Sequence, residues 1–154
     1  MEKIEIGDGQ TYIFSVGGTA ELHSGVIYEV KDCDAEYPIN KHSIVELPPS
    51  FAVPTTSLIP DVLNTLAISC AATVEGVAST PIYLNSVSSG WTIDQEAKPP
   101  WTSTFGSHKN NLTTDISTPI SNTFTFSSNS RVKAAALVLL SPDVAASSSS
   151  SSSS

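Results

Sequence analysis

Apolar and polar residues alternate along short segments of this sequence, and prolines or glycines end most of those segments. Between Thr65 and Ala72, for example, Leu66, Ile68 and Cys70 would point to the same side of an extended chain. A period of two is typical of a β-strand with one face in a core, and it predicts that Cys70 is a small core residue. The ten prolines keep such segments short, because proline cannot donate a hydrogen bond within a sheet. The chain is therefore expected to consist of short strands.

Strand composition recurs along the chain, as runs of aromatic and β-branched residues beside turn-forming residues. The segment Val132–Leu140 is apolar on both faces beyond Lys133, which predicts a central strand covered on both sides. A long loop is predicted at Asp94–Asp115, and no helix is indicated beyond a single turn at Asp61–Asn64. The predicted strands are Thr11–Val16, Val26–Val30, Ser43–Leu47, Thr65–Ala72, Pro81–Leu84, Trp91–Ile93, Ser121–Ser127 and Val132–Leu140.

These strands predict an all-β fold, an antiparallel β-sandwich of jelly-roll type with an N-terminal extension or extra strands. A chain of 154 residues is long enough for one such domain with a buried core. Residues 1–40 are expected to form an acidic arm or edge strands, residues 41–144 the sandwich, and residues 145–154 a serine-rich tail. The eight consecutive serines at Ser147–Ser154 have nothing to bury, so that tail is expected to be disordered.

The charge of the chain limits its partners. Only 14% of residues are charged and the formal net charge is −8. Phosphate backbones would repel such a chain, which argues against nucleic-acid binding, and a lysine-rich amphipathic stretch for an anionic membrane is lacking. Residues 1–61 hold ten acidic and three basic side chains, so this part could face a basic partner, although a solvated surface is the common alternative. A hydroxyl-rich, charge-poor surface suits contact with other protein subunits.

The redox environment follows from the absence of a recognisable secretory signal in the sequence. The longest strongly apolar stretch, Ala134–Leu140, is far too short to cross a bilayer. The protein is therefore expected to be made in a reducing cytoplasm, with Cys33 and Cys70 as free thiols.

No pattern of reactive residues stands out. The histidines His23, His42 and His108 lack the spacing of metal ligands and are interpreted as exposed polar side chains. The acidic stretch Asp32–Glu36 could offer oxygens to calcium, but it lacks a glycine-bearing loop of the EF-hand type. No nucleophile-elbow motif is present, and both thiols lie where thiolate is disfavoured. We therefore predict no metal, no cofactor, no catalytic residue and no enzymatic activity.

Aromatic residues near the predicted loop offer another kind of site. Trp91 is expected to pack in the core. Trp101 and Phe105 are candidate ligand contacts, since an aromatic ring in a hydroxyl-rich loop can stack on a sugar or anchor a protein contact. Core packing is the alternative for Trp101, and the sequence does not define a specific sugar site.

Four features follow one another between Asp61 and Val144. They are a small-residue strand at Leu66–Ala72, a Ser-Gly-Trp-Thr turn at Ser89–Thr92, a Thr-Phe-Thr-Phe-Ser strand at Thr123–Ser127 and an alanine-rich closing strand at Ser130–Leu139. This order resembles a β-sandwich module of bacteriophage virion-surface proteins, which include decoration, tail and fibre proteins. The resemblance covers a little over half of the chain. It implies a self-associating, surface-displayed virion component without an active site.

The function expected on this basis is that of a non-enzymatic phage virion structural protein, a capsid decoration or cement protein. It would stabilise the shell by contacts with other virion proteins, the major capsid protein above all, as a homo-oligomer with a trimer favoured. It would be made in the host cytoplasm and reside in the virion. Ile13, Phe14, Ile27 and Tyr28 are the predicted partner contacts, whose loss should weaken attachment more than it unfolds the sandwich. The alternative is a tail or fibre module that binds a receptor or carbohydrate.

Overall fold

The computed structural model of this chain describes residues 25–34, 36–74, 82–97, 102–110, 116–129 and 133–143. Every regular element in those ranges is a strand. The strands are β1 (Ile39–Leu47), β2 (Ala52–Pro54), β3 (Leu66–Val74), β4 (Leu84–Ser86), β5 (Thr92–Ala97), β6 (Thr102–Asn110), β7 (Thr123–Phe126) and β8 (Lys133–Leu140). None of the described residues belongs to a helix long and apolar enough to span a membrane.

The strands form two antiparallel sheets. One sheet has five strands in the order β1-β8-β3-β6-β5, and the other has three in the order β2-β7-β4. Buried apolar residues from both sheets belong to one cluster, so the sheets lie face to face around a shared core. The predicted all-β antiparallel sandwich is confirmed.

Three phenylalanines fill much of the space between the sheets. Phe105 of β6, and Phe124 and Phe126 of β7, are each no more than 1% exposed. The rings of Phe105 and Phe126 meet edge-on with centroids 5.5 Å apart, and those of Phe124 and Phe126 are stacked at 6.5 Å. Burying a side chain of this size contributes about 1.5–3 kcal/mol, so these rings are major contributors to the cohesion of the two sheets.

Trp91 fills a neighbouring part of the core, as predicted. Its side chain is buried beside Ala67, Ile120, Leu137 and Leu139. The indole Nε1 donates a hydrogen bond of 3.0 Å to the carbonyl of Ser121, which satisfies its one polar group.

A buried polar network crosses between the sheets at Asn122, which is fully buried. Its amide nitrogen donates to the hydroxyls of Ser69 and Ser107 at 2.8 Å and 3.0 Å, and those hydroxyls lie 2.8 Å from each other. Its amide oxygen accepts from the backbone N–H of Ser88 at 3.0 Å. Because buried polar groups are costly when unpaired, this network favours one relative position of the sheets.

Strands β8 and β3 show which side of the five-stranded sheet faces the core. β8 lies between β1 and β3, so the predicted central position of this strand is confirmed. On β3, the residues that face the second sheet are Ala67, Ser69 and Ala71, whereas Cys70 is half-buried on the opposite side. The prediction of Cys70 as a core residue is wrong, because both faces of this strand are apolar and alternation alone does not tell which face is inside.

The predicted long loop at Asp94–Asp115 is also wrong. β5 and β6 occupy all of its described part and pair antiparallel, with Ile93 opposite Ser107 and Ala97 opposite Thr104. This stretch is polar and has little strand propensity of its own. β6 is nevertheless hydrogen-bonded on both sides, to β3 and to β5, and that pairing overrides the local preference.

The predicted strand Val26–Val30 is not a strand in the structure. These residues lie across the face of the five-stranded sheet, where the backbone groups of the sheet are already paired with one another. The Ile27 carbonyl instead accepts a hydrogen bond from the Gln95 side chain at 3.3 Å.

Several predictions lie outside the described residues. They include the strand Thr11–Val16 with Ile13 and Phe14, the aromatic Trp101, and the serine tail at Ser147–Ser154. The first described strand begins at Ile39, two residues before the predicted start of the sandwich.

Candidate functional site

Residues 25–34, here called the crossing segment, run over the outer face of the five-stranded sheet, the face directed away from the three-stranded sheet. At one end, the Tyr28 hydroxyl donates a hydrogen bond of 3.0 Å to Asp94 on β5. At the other end, the backbone N–H of Asp34 donates to the Ser141 carbonyl at 3.1 Å, and that of Asp143 donates to the Asp32 carbonyl at 2.8 Å. The segment therefore spans the sheet from β5 to the end of β8.

Gly106 on β6 makes room for the crossing segment. A Cβ atom added to this glycine would lie 2.3 Å from the Tyr28 hydroxyl oxygen and 3.0 Å from Cζ of its ring. Only a residue without a side chain allows Tyr28 to lie this close to the sheet, so the glycine is required by this close approach.

Asp94 is the centre of a polar cluster that includes Tyr28 and His108, here called the Asp94 cluster. Asp94 lies at the register shift between Ile93 and Gln95, which turns its carboxylate onto the outer face. One oxygen accepts from Tyr28, and the other lies 2.6 Å from Nδ1 of His108. The Asp94 side chain is only 2% exposed, against 27% for His108. The cluster therefore holds a nearly buried carboxylate that is paired through both oxygens.

Burial and the charge of Asp94 keep the Tyr28 hydroxyl and the Cys70 thiol protonated. Burial, and then the charge of Asp94, raise the pKa of the Tyr28 hydroxyl well above its ordinary value. The same two causes, in the same order, raise the pKa of the Cys70 thiol to about 11. Cys70 lies opposite Gly106 in the β3–β6 pairing. A nucleophilic thiol needs a lowered pKa, so Cys70 is poorly suited to that chemistry.

In the acidic stretch Asp32–Glu36, Asp34 binds the backbone that leads to β1. One carboxylate oxygen of Asp34 accepts from the backbone N–H groups of Glu36 and Tyr37, both at 2.8 Å. These hydrogen bonds lower the pKa of Asp34. Within the described ranges, no three histidine, cysteine or acidic side chains are arranged to hold a metal ion. Cys33 and Cys70 are both free, in agreement with the sequence prediction.

The side of β1 that faces away from β8, here called the β1 edge, is the other candidate site. Among the described strands, β1 pairs only with β8, so one row of its backbone N–H and C=O groups has none of these strands beside it. Ile44 in the middle of β1 is 78% exposed, and Tyr37 and Ile39 near its start are also exposed. A nine-residue edge strand that carries exposed apolar side chains is a potential site for pairing with another chain.

The predicted site residues fall in different places. Ile27 is 53% exposed on the crossing segment, whereas the hydroxyl of its neighbour Tyr28 is bound to Asp94. Phe105 is fully buried in the core, so its prediction as a ligand contact is wrong. The sequence predicts a loop at this position, whereas Phe105 lies on strand β6 and points into the core. Trp101, the other proposed ligand contact, lies outside the described residues.

Sequence reasoning missed the Asp94 cluster and the β1 edge. The predicted loop at Asp94–Asp115 makes His108 an exposed histidine, whereas the pairing of β5 with β6 brings its ring to Asp94. A hairpin assignment would have placed the two on adjacent strands. Ile44 was assigned to a strand, but nothing in the sequence indicates that this strand lies at the edge of a sheet.

No protein-family model, curated protein or solved structure matches this chain. The resemblance to phage virion-surface modules therefore stays a prediction from the residues.

Proposed function

We propose that this chain is a non-enzymatic structural protein that binds other protein subunits through the β1 edge, as a capsid decoration protein of a bacteriophage virion. The observation that carries the proposal is the exposed apolar edge strand, with Ile44 at its centre. The virion setting rests on the sequence resemblance.

The β1 edge offers both parts of a strand-addition contact. Its backbone groups that face no other described strand can hydrogen-bond to an incoming strand, and its exposed side chains can be covered by that strand. Burying an isoleucine side chain contributes about 1.5–3 kcal/mol, and Ile44 is exposed enough to provide a large part of this. A stable contact needs roughly 800 Å² from each partner, so the flanking apolar residues Tyr37 and Ile39 would take part as well.

The Asp94 cluster supports a structural function. Both carboxylate oxygens of Asp94 are bound by side chains of this chain, and the pKa values of Tyr28 and Cys70 are raised, not lowered. A thiol or a phenol that acts as a nucleophile or base near neutral pH needs a lowered pKa. The cluster fits best with a function in which it holds the crossing segment on the sheet.

Charge gives the partner a chemical description. With a formal net charge of −8, the chain would be attracted to a basic patch on the shell. The major capsid protein is the proposed partner, and other virion proteins could share the contact. Self-association into a trimer, which the resemblance favours, remains a prediction.

Phage particles purified with and without this chain test the proposal. We expect the chain to be a constituent of the wild-type particles, and particles that lack it to release their genome at a lower temperature. Purified full-length protein added back should restore the wild-type release temperature.

Two matched variants show whether the β1 edge is responsible. Ile44→Lys should fail to restore stability, because the charge cannot be buried against the shell. Ile93→Lys, which changes an exposed isoleucine on the opposite edge strand of the same sheet, should restore it. The proposal is wrong if the chain is absent from the particles, or if Ile44→Lys restores stability as well as the wild type.

A further inference from the structure

We infer that the β1 edge also pairs with a second copy of itself, antiparallel and about a two-fold axis at Ile44. The five-stranded sheets of two copies would then join into one continuous sheet. This inference rests on the proposed function for the use of the β1 edge, and it names a second copy of this chain as the occupant of that edge while the protein is free of the shell; binding to the shell replaces that copy.

The outer face of β1 is suited to such self-pairing. His42, Ile44 and Glu46 point to this face, and all three are exposed. When the strand pairs with a copy about Ile44, each Ile44 lies opposite Ile44 of the other copy. Each His42 then lies opposite Glu46 of the other copy, on both sides of the isoleucine pair. Directly opposite residues in an antiparallel pair have Cβ atoms about 4.5–5.5 Å apart, close enough for these contacts.

Other registers on the same face are less favourable. A shift of two residues in either direction places Ile44 opposite His42 or Glu46, so the apolar side chain loses its apolar partner. A further shift brings Glu46 opposite Glu46 or His42 opposite His42, which places identical polar side chains together. A shift by a single residue would bring the core-facing side chains of one copy to the same face of the joined sheet as the outward-facing side chains of the other. The register about Ile44 is the one in which apolar meets apolar and acid meets histidine.

The length of the contact sets its strength. Pro48 and Pro49 follow β1, and proline cannot donate to a ladder. Pairing about Ile44 therefore extends over residues 41–47 of each copy. A contact this short is smaller than a stable interface requires, so the dimer should form at high protein concentration and dissociate on dilution.

Sedimentation equilibrium of the purified full-length chain tests the inference. We expect a monomer–dimer equilibrium, and a monomer at all concentrations for Ile44→Lys, while Ile93→Lys dimerises like the wild type. A folded far-UV spectrum for each variant shows that lost association is not lost structure.

A charge exchange tests the register itself. His42→Glu places two like-charged pairs across the two-fold axis and should weaken dimerisation about tenfold. Adding Glu46→Lys to that variant makes both cross-strand pairs opposite in charge and should restore dimerisation. Dimers that respond to Ile44→Lys but not to this exchange would overturn the register.

A chain that stays monomeric, or that associates equally well as Ile44→Lys, would overturn the inference. These outcomes are separate from those of the particle experiment. A monomeric chain that still stabilises particles through Ile44 leaves the proposed function intact. A chain that dimerises but is absent from particles leaves the pairing intact and refutes the proposed function.

Discussion

Gly106 and Tyr28 show how two single residues determine where the crossing segment lies. The glycine leaves a gap on β6, the ring of Tyr28 lies in that gap, and its hydroxyl reaches Asp94. The sequence alone predicts Tyr28 as a partner contact and gives Gly106, one of eight glycines, no evident role. Their function depends on a contact between residues that are far apart along the chain.

Gly106→Ala is expected to lower the free energy of unfolding by about 1–3 kcal/mol, because the new methyl group displaces Tyr28 and breaks its hydrogen bond. Urea unfolding measures this. Gly25→Ala is the matched control, since a Cβ at Gly25 meets nothing within 4 Å. In a Tyr28→Ala background, Gly106→Ala should cost little. Equal costs in both backgrounds would refute the contact.

Cys70 is expected to be a slow thiol. With its pKa raised to about 11 from 9.0, the thiolate fraction at pH 8 is about one hundredth of the ordinary value, and alkylation should be slower by a similar factor. Iodoacetamide labelling of Cys33→Ser protein measures the rate, and the same protein in urea provides the unfolded reference. Labelling as fast in the folded protein as in urea would contradict the burial of Cys70.

The same shift gives stability a pH dependence. Because the folded state holds the Cys70 proton more tightly than the unfolded chain does, this contribution is complete below pH 9 and is lost as the pH rises from 9 to about 11. The free energy of unfolding should therefore fall over that window, and fall less in Cys70→Ala. If the free energy of unfolding falls equally with pH in Cys70→Ala, the pH dependence comes from another group, and Tyr28 is the first to test.

At the scale of elements, local composition predicted strands well where a strand lies inside a sheet. The alternation at Thr123–Phe126 and the apolar run of β8 both predicted the observed strands. Local composition failed to predict strands where contacts with distant segments determine the pairing. Val26–Val30 has strand composition but crosses a sheet face, whereas β6 has weak strand composition but is paired on both sides. Strand propensity is a property of the residues in one segment, whereas strand pairing depends on which other segment lies beside it.

The polar network at Asn122 is expected to be an important link between the two sheets. Asn122→Ala would leave the Ser88 N–H without its acceptor and remove the amide that binds Ser69 and Ser107. We expect a loss of about 2–4 kcal/mol in the free energy of unfolding, since buried polar groups would lose their partners. Asn85→Ala, at an exposed position on β4, is the control and should change stability little. Equal effects of the two substitutions would refute the role of the network.

At the scale of the whole molecule, the sequence predicted the class of fold and could not predict its edges. Periodicity shows that a segment is a strand and gives its two faces, but strand order depends on contacts between distant segments. The predicted sandwich is therefore confirmed, while the exposed position of β1 became visible only in the structure. The same limit applies to function, because the edge of the sheet carries the proposed site.

The β1 edge as a contact surface for other subunits is the central claim, and hydrogen exchange tests it most directly. Amide exchange in the full-length chain would be followed by mass spectrometry, free at low concentration and bound to phage particles assembled without it. We predict that binding slows exchange in the peptide covering residues 39–47, whose outward-facing amides have no other described strand beside them. Particle binding that leaves exchange in this peptide unchanged, and protects another surface instead, would contradict the claim.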